Sequence, residues 1–132
     1  MLITGGSGFV GRAVIRELLS SEPVIDASEI RIFDLHEPAE VYSDPRIRFI
    51  PGDIRDAESL NKAASGTDAV IHLAAMVDWG THPPKTVYSI NTGGTQTALD
   101  AAAAAGAAAF VYTSSLDAVI TGAPLRDVDE SL

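Results

Sequence analysis

Gly6, Gly8 and Gly11 follow the apolar run Leu2-Ile3-Thr4 and precede residues whose apolar positions recur at helical spacing. That G-x-G-x-x-G spacing, set between a strand and a helix, is a dinucleotide-binding fingerprint. One glycine permits a tight turn and another lets the backbone approach a pyrophosphate. Gly11 allows helix and strand to pack closely. The first helical turn then offers open backbone N–H groups to phosphate charge. The alternative is an ordinary glycine-rich turn. Asp34 ends the next apolar run, 23 positions after Gly11, where an acidic residue is expected after about 20. A carboxylate there accepts both hydroxyls of an adenosine ribose and repels a 2′-phosphate, which favours NAD over NADP. Alternatively it is a solvated strand end. In Gly52-Asp53-Ile54, Asp53 is placed either to accept from an adenine amino group or to form a turn or helix cap.

These groups need a scaffold, and the pattern supplies one. Short apolar runs alternate with helical stretches, the signature of strand–helix–strand units and a parallel sheet. Strands are expected at 1–4, 30–34, 47–50, 69–75 and 108–113, with Pro51-Gly52-Asp53 breaking the third. A helix over 9–19 should bury Phe9, Val10, Ala13, Val14, Leu18 and Leu19. A short helix over 57–64 should stop at Gly66. Pro83-Pro84 should open a long helix towards Ala105, with Gly106 as its cap. The alanine run from Ala101 to Ala109 reads as a helix end. No repeat or linker interrupts the chain. After Ser115, Gly122, Pro124 and the acidic residues 127–130 form no further element. The expected fold is α/β, a Rossmann-type doubly wound sheet of order 3-2-1-4-5, with one domain over 1–132. Its ligand crevice lies where the order reverses, between the first and fourth strands.

Bulk composition narrows the class of function. The 132 residues include no cysteine, which removes disulfides, thiolate metal sites and cysteine nucleophiles. Nine basic against 18 acidic side chains give a net charge of −9, which argues against a nucleic-acid partner. There is no apolar run long enough for a membrane span and no secretory-type start, so a cytoplasmic location is expected.

The ordered motifs resemble the extended short-chain dehydrogenase/reductases, a group that includes UDP-sugar epimerases and 3β-hydroxysteroid dehydrogenases. The family pattern T-G-x-x-G-x-x-G is matched by Thr4, Gly5, Gly8 and Gly11. Asp34, Gly52-Asp53-Ile54, His72-Leu73-Ala74-Ala75, Asn91-Thr92-Gly93-Gly94-Thr95 and Thr113-Ser114-Ser115 match later steps in order. Val77-Asp78-Trp79-Gly80 and Tyr112-Thr113-Ser114-Ser115-Leu116-Asp117 look most like the 3β-hydroxysteroid dehydrogenase/isomerase branch.

The resemblance implies an NAD-dependent oxidoreductase for a secondary alcohol or ketone, with a sterol-like or sugar-nucleotide substrate. It implies cofactor contacts from Gly5, Gly6, Ser7, Gly8, Phe9, Val10, Gly11, Asp34, Asp53, Ile54, Leu73, Ala74, Ala75, Asn91 and Thr113. It gives Asn91 a second, structural role, tying the long helix to a strand. Ser115, with Ser114 as second choice, matches the serine that bonds the reacting oxygen; a strand-end turn is the other reading. His72 reads as a packed strand residue rather than a catalyst.

One family element is missing from the residues: a tyrosine four positions before a lysine. The tyrosines are Tyr42, Tyr88 and Tyr112 and the lysines Lys62 and Lys85. The sequence therefore reads as the N-terminal, cofactor-binding part of a longer enzyme, expected to bind NAD weakly and turn over nothing alone. The longer enzyme is expected to be a homodimer, and the edge of the fifth strand is expected to lie open. A UDP-sugar epimerase or dehydratase, and a non-catalytic NAD(P)-binding module, are the rival expectations.

Overall fold

The computed structural model describes residues 1–23, 25–40 and 42–115. The irregular stretch expected after Ser115, and the motif positions Leu116 and Asp117, lie outside the described residues.

Five parallel strands form one sheet: β1 (Leu2–Thr4), β2 (Ile30–Asp34), β3 (Ile47–Pro51), β4 (Ala69–His72) and β5 (Ala109–Tyr112). Their order is β3-β2-β1-β4-β5, as the alternating pattern requires. β1 is the pivot: Leu2, Ile3 and Thr4 pair with Arg31, Ile32 and Phe33 on one side and with Val70, Ile71 and His72 on the other. Among the described residues β5 pairs only with β4, and it leaves Val111 and Tyr112 about half exposed.

Successive strand residues point to opposite faces, and this divides the core in two. Leu2, Phe33 and Val70 pack with Leu60, Ala98, Ala101 and Ala102 on one face. Ile3, Ile30 and Ile32 pack with Ile15 and Leu18 on the other. The central strands are covered on both sides, which is why they read as unbroken apolar runs.

α1 (Phe9–Leu18) buries Gly11, Ile15 and Leu18, with Val14 and Leu19 partly buried against the same core, so only the later half of the face read from the sequence turns inward. Phe9 is 84% exposed, Val10 is 49% exposed, and Ala13 also faces out. The close seat of Gly11 on the preceding turn sets the rotation of the helix, so the 11-15-18 line faces inward and the apolar residues at its start do not.

α2 (Ala57–Ala64) is capped by Asp56, whose carboxylate accepts from the amides of Glu58 and Ser59 at 3.1 and 3.2 Å. β4 is shorter than the apolar run that encodes it. Its pairing partner β1 ends at Thr4, so the backbone leaves the sheet after His72.

The long helix also differs from the sequence reading. α3 (Pro84–Tyr88) passes into a π-helical turn (Ser89–Gly93) and then α4 (Gly94–Ala104). Within that segment Thr95 and Thr97 hydroxyls donate to the carbonyls of Asn91 and Gly93. Such back-bonding, with a local π turn, is typical of a helix pulled by outside contacts. α4 stops at Ala104 and is closed, as expected, by Gly106, with φ +70°; the alanine run read as a helix end leaves the helix there, and Ala109 opens β5. Gly106 N–H donates to Ala103 O and Ala107 N–H to Ala102 O, both at 3.0 Å, the double closure of a Schellman motif.

Candidate dinucleotide site at the strand-order reversal

The turn after β1 is built by Gly5. It has φ +70°, a left-handed conformation that only glycine adopts without cost. Its N–H donates to Phe33 O at 2.9 Å, and its carbonyl accepts from Gly8 N–H at 3.0 Å. A Cβ on Gly5 would lie 2.6 Å from the backbone nitrogen of Ala74. A Cβ on Gly11 would lie 2.5 Å from Gly5 O, Gly6 Cα and Gly6 O. Gly11 therefore seats the helix on the turn itself, rather than on the strand as its spacing suggested. The 5-8-11 register carries the geometry; Gly6 keeps an ordinary backbone and packs near Ile32.

α1 starts at Gly8 with no side-chain cap and no acidic residue in its first turn. Its opening amides are thus left for an outside anion, and no carboxylate within the helix's own first turn opposes one. Beside them, Asp34 at the end of β2 accepts from the Ser7 amide through Oδ2 at 3.0 Å and from the His36 amide through Oδ1 at 3.4 Å. The Ser7 hydroxyl donates to His36 O at 2.7 Å. These contacts aim a half-buried carboxylate at the same crevice.

That crevice is a cavity of about 610 Å³, within the range of small-molecule sites. Of the residues singled out by sequence, Gly5, Ser7, Gly8, Asp34, Asp53 and Ile54 line it from one side and Leu73, Ala74 and Ala75 from the other. Gly6, Gly11, Phe9 and Val10 stand behind or outside the wall. Asn91 instead borders a neighbouring shallow groove. Thr113, Ser114 and Ser115 follow β5 on the exposed surface, and none lines the cavity. The turn, the Asp34 carboxylate beside it and the cavity size fit a dinucleotide.

Asp53 forms a turn: its Oδ1 accepts from the Arg55 amide at 2.9 Å, and its carboxylate pairs with the Arg55 guanidinium. The hydrogen bond from Arg55 lowers its carboxyl pKa. Asn91 bonds the chain beyond β4 through both side-chain atoms. Oδ1 accepts from Met76 N–H at 2.7 Å, and Nδ2 donates to Met76 O at 3.0 Å.

His72 is 1% exposed, and burial lowers its pKa to about 4. Its ring lies between the hydroxyls of Thr4 and Thr95, with Nδ1 2.6 Å from the first and Nε2 3.0 Å from the second. The rings of Phe110 and Tyr112 stack near it at centroid distances of 6.0 and 5.8 Å.

The structure adds wall residues that the motifs did not mark, among them Leu35, His36, Arg55, Met76 and His82. Most follow the carboxyl end of a strand, a position that was legible; their side-chain types carried no signal. His82 is held by Asp78, which accepts from its amide and its Nδ1 at 3.1 and 2.7 Å.

Comparison with known proteins places this architecture. A model of the 3-beta hydroxysteroid dehydrogenase/isomerase family matches residues 2–132. The 3 beta-hydroxysteroid dehydrogenase type 7 of Mus musculus is 41% identical over 123 residues, covering 89% of this chain and 33% of its own length. The chain thus spans about a third of the curated relatives it matches. Among solved structures, dTDP-glucose 4,6-dehydratase from Streptomyces venezuelae, with NAD and TYD bound, superposes with a TM-score of 0.75 at 36% identity, over 83% of this chain and 37% of that one. A short-chain dehydrogenase/reductase superfamily protein from Agrobacterium tumefaciens, with bound NAD, gives a TM-score of 0.68 at 33% identity, over 84% and 31%. With the family model matched from β1 to the last residue, the chain belongs to the 3-beta hydroxysteroid dehydrogenase/isomerase family.

Proposed function

We propose that this chain is the cofactor-binding domain of an NAD-dependent oxidoreductase that interconverts a secondary alcohol and a ketone, with a sterol-like substrate. The observation that carries the reading is the Ser7–Asp34 hydrogen bond at the mouth of the cavity between β1 and β4. It sets a ribose acceptor beside an uncapped helix start. In this reading the opening amides of α1 hold the pyrophosphate and Asp34 accepts from the adenosine ribose. Bound NAD would supply the hydride acceptor or donor.

The chain's own residues orient and exclude water. Leu73, Ala74 and Ala75 cover the far half of the cavity, and Ile54 closes the adenine side. Ser115, or Ser114, would orient the reacting oxygen by resemblance. The proton-transferring tyrosine and its lysine would come from residues outside these 132. The chain alone should therefore bind NAD weakly and turn over nothing, and the homodimer and cytoplasmic location belong to the full-length enzyme in the same reading.

Titration calorimetry with NAD and NADP tests the first half of this; preference for NADP, or binding of neither, overturns it. Alcohol oxidation by the purified 132-residue chain would overturn the second. A sugar-nucleotide substrate is the rival, favoured by the likeness to a dTDP-glucose dehydratase. A panel of sterols against UDP- and dTDP-sugars with the full-length protein separates the two.

A further inference from the structure

The hydroxyl of Thr95 has one proton and lies 2.5 Å from Asn91 O, an atom that can only accept. Thr95 must therefore donate to Asn91, and its Oγ1 is left to accept from His72 Nε2–H at 3.0 Å. A buried neutral imidazole protonated at Nε2 has a bare Nδ1, which accepts from the Thr4 hydroxyl at 2.6 Å. Thr4 Oγ1 in turn lies 3.5 Å from the Ala74 amide, which can only donate. Every proton in the series has one direction: Ala74 N–H to Thr4, Thr4 to His72, His72 to Thr95, Thr95 to Asn91 O.

The two ends of this series meet the same short segment. Ala74 is its first anchor. Asn91, at the other end, clamps Met76 through its side chain. Residues 73–76 line the cavity on the β4 side of the pivot, opposite Asp34, where the second half of a dinucleotide crosses the reversal point. They also press on the glycine turn, since Ala74 N would stand 2.6 Å from a Cβ on Gly5.

We infer that His72 is a positioning residue: its one-way hydrogen-bond relay locks the π-helical turn to residues 73–76 and so fixes the nicotinamide half of the cavity. The inference rests on the proposed NAD binding. Its alternative is a merely structural histidine, whose loss would weaken every ligand alike.

The test uses the full-length protein. Nitrogen-15 NMR of the imidazole should show the Nε2–H tautomer from pH 8 to 5.5; an Nδ1–H ring or a titration inside that range overturns the relay. Affinities for NAD and for ADP, which lacks the nicotinamide riboside, are then compared across variants. Thr95→Val and His72→Leu should weaken NAD at least 10-fold and ADP less than 2-fold. His72→Gln, whose amide donates and accepts from one group, should recover NAD affinity to within 3-fold of wild type. Equal losses for both ligands, no loss, or a glutamine variant as weak as the leucine one would overturn the proposal. Thr95→Val keeps the side-chain shape, so it decides the matter if His72→Leu does not fold. Wild-type protein that binds neither ligand would remove the proposed function itself, whereas wild-type binding with unselective losses removes only the role of His72.

Discussion

The amide of Ser7 donates to the carboxylate of Asp34 across 3.0 Å, joining the turn after β1 to the end of β2. One contact thereby couples the two groups that the site needs in register: the loop beside the uncapped helix start and the acceptor for a sugar. The coupling also means that Asp34 meets a ribose already oriented, with little side-chain entropy left to lose on binding.

Replacing Asp34 with alanine should therefore act on ligand choice more than on the fold. Loss of a charge-assisted bond to a ribose hydroxyl costs roughly 1–3 kcal/mol, and the repulsion that discriminates against a 2′-phosphate disappears with it. NAD affinity should fall and the preference for NAD over NADP should narrow, as read by calorimetric titration of both cofactors. Unchanged affinity for both would make Asp34 a strand end that happens to contact Ser7.

Gly11 and Gly93 make a matched pair. A Cβ on Gly11 meets three backbone atoms at 2.5 Å, none of which can swing aside as a side chain can. Gly11→Ala should cost about 1–3 kcal/mol of stability as an overpacking change and weaken NAD further by displacing the turn. A Cβ on Gly93 meets nothing within 4 Å, and its φ of −63° is helical. Gly93→Ala should be neutral or stabilising by up to about 1 kcal/mol. Denaturant unfolding should show a lower midpoint for Gly11→Ala and an unchanged or higher one for Gly93→Ala.

Much of this was legible in the residues because the signals are local. Strand order follows from alternating runs and crossovers, and the ends of α2 and α4 follow from Gly66 and Gly106, whereas the Asp56 cap at the start of α2 was not read. What was not legible depended on contacts distant in sequence. The rotation of α1 is set by Gly11 touching the turn, and no count of apolar residues in the helix reveals that. The π turn at Ser89–Gly93 reflects bonds between Asn91 and Met76, 15 positions apart. β4 stops at His72 because β1 stops at Thr4, 68 positions earlier. Of the site, the glycine turn and Asp34 were readable. The role of Asp53 as a turn former with Arg55 was one of two readings that its sequence left open.

Asn91→Ala tests the clamp independently of any ligand. It leaves the N–H and carbonyl of Met76, both partly buried, without their partner. Unsatisfied groups of this kind cost about 1–3 kcal/mol, so the midpoint of thermal unfolding should drop. Hydrogen exchange at the Met76 amide should accelerate well beyond the change in global stability. Protection that falls only in step with global stability would show that the bond does not hold the segment.

The pH dependence of stability carries a signature of His72. Its pKa is lowered from 6.5 to about 4 by burial, so between those values the unfolded chain binds a proton that the folded chain refuses. The contribution of this group is therefore complete above pH 6.5, falls as pH drops towards 4, and changes no further below that. The full depression corresponds to about 3 kcal/mol. Carboxyls lowered by arginine partners (Glu29 by Arg31, Glu40 by Arg16, Asp44 by Arg46) act in the same direction, but only from pH 4.5 downward. The window from 4.5 to 6.5 thus isolates the imidazole from these three. Urea unfolding of wild type across that window should slope upward with pH, and His72→Gln, which has no proton to refuse, should be flatter by that share. A variant with the same slope as wild type would place the titrating group elsewhere, because glutamine preserves the size and the hydrogen-bonding capacity of the side chain while removing its charge chemistry.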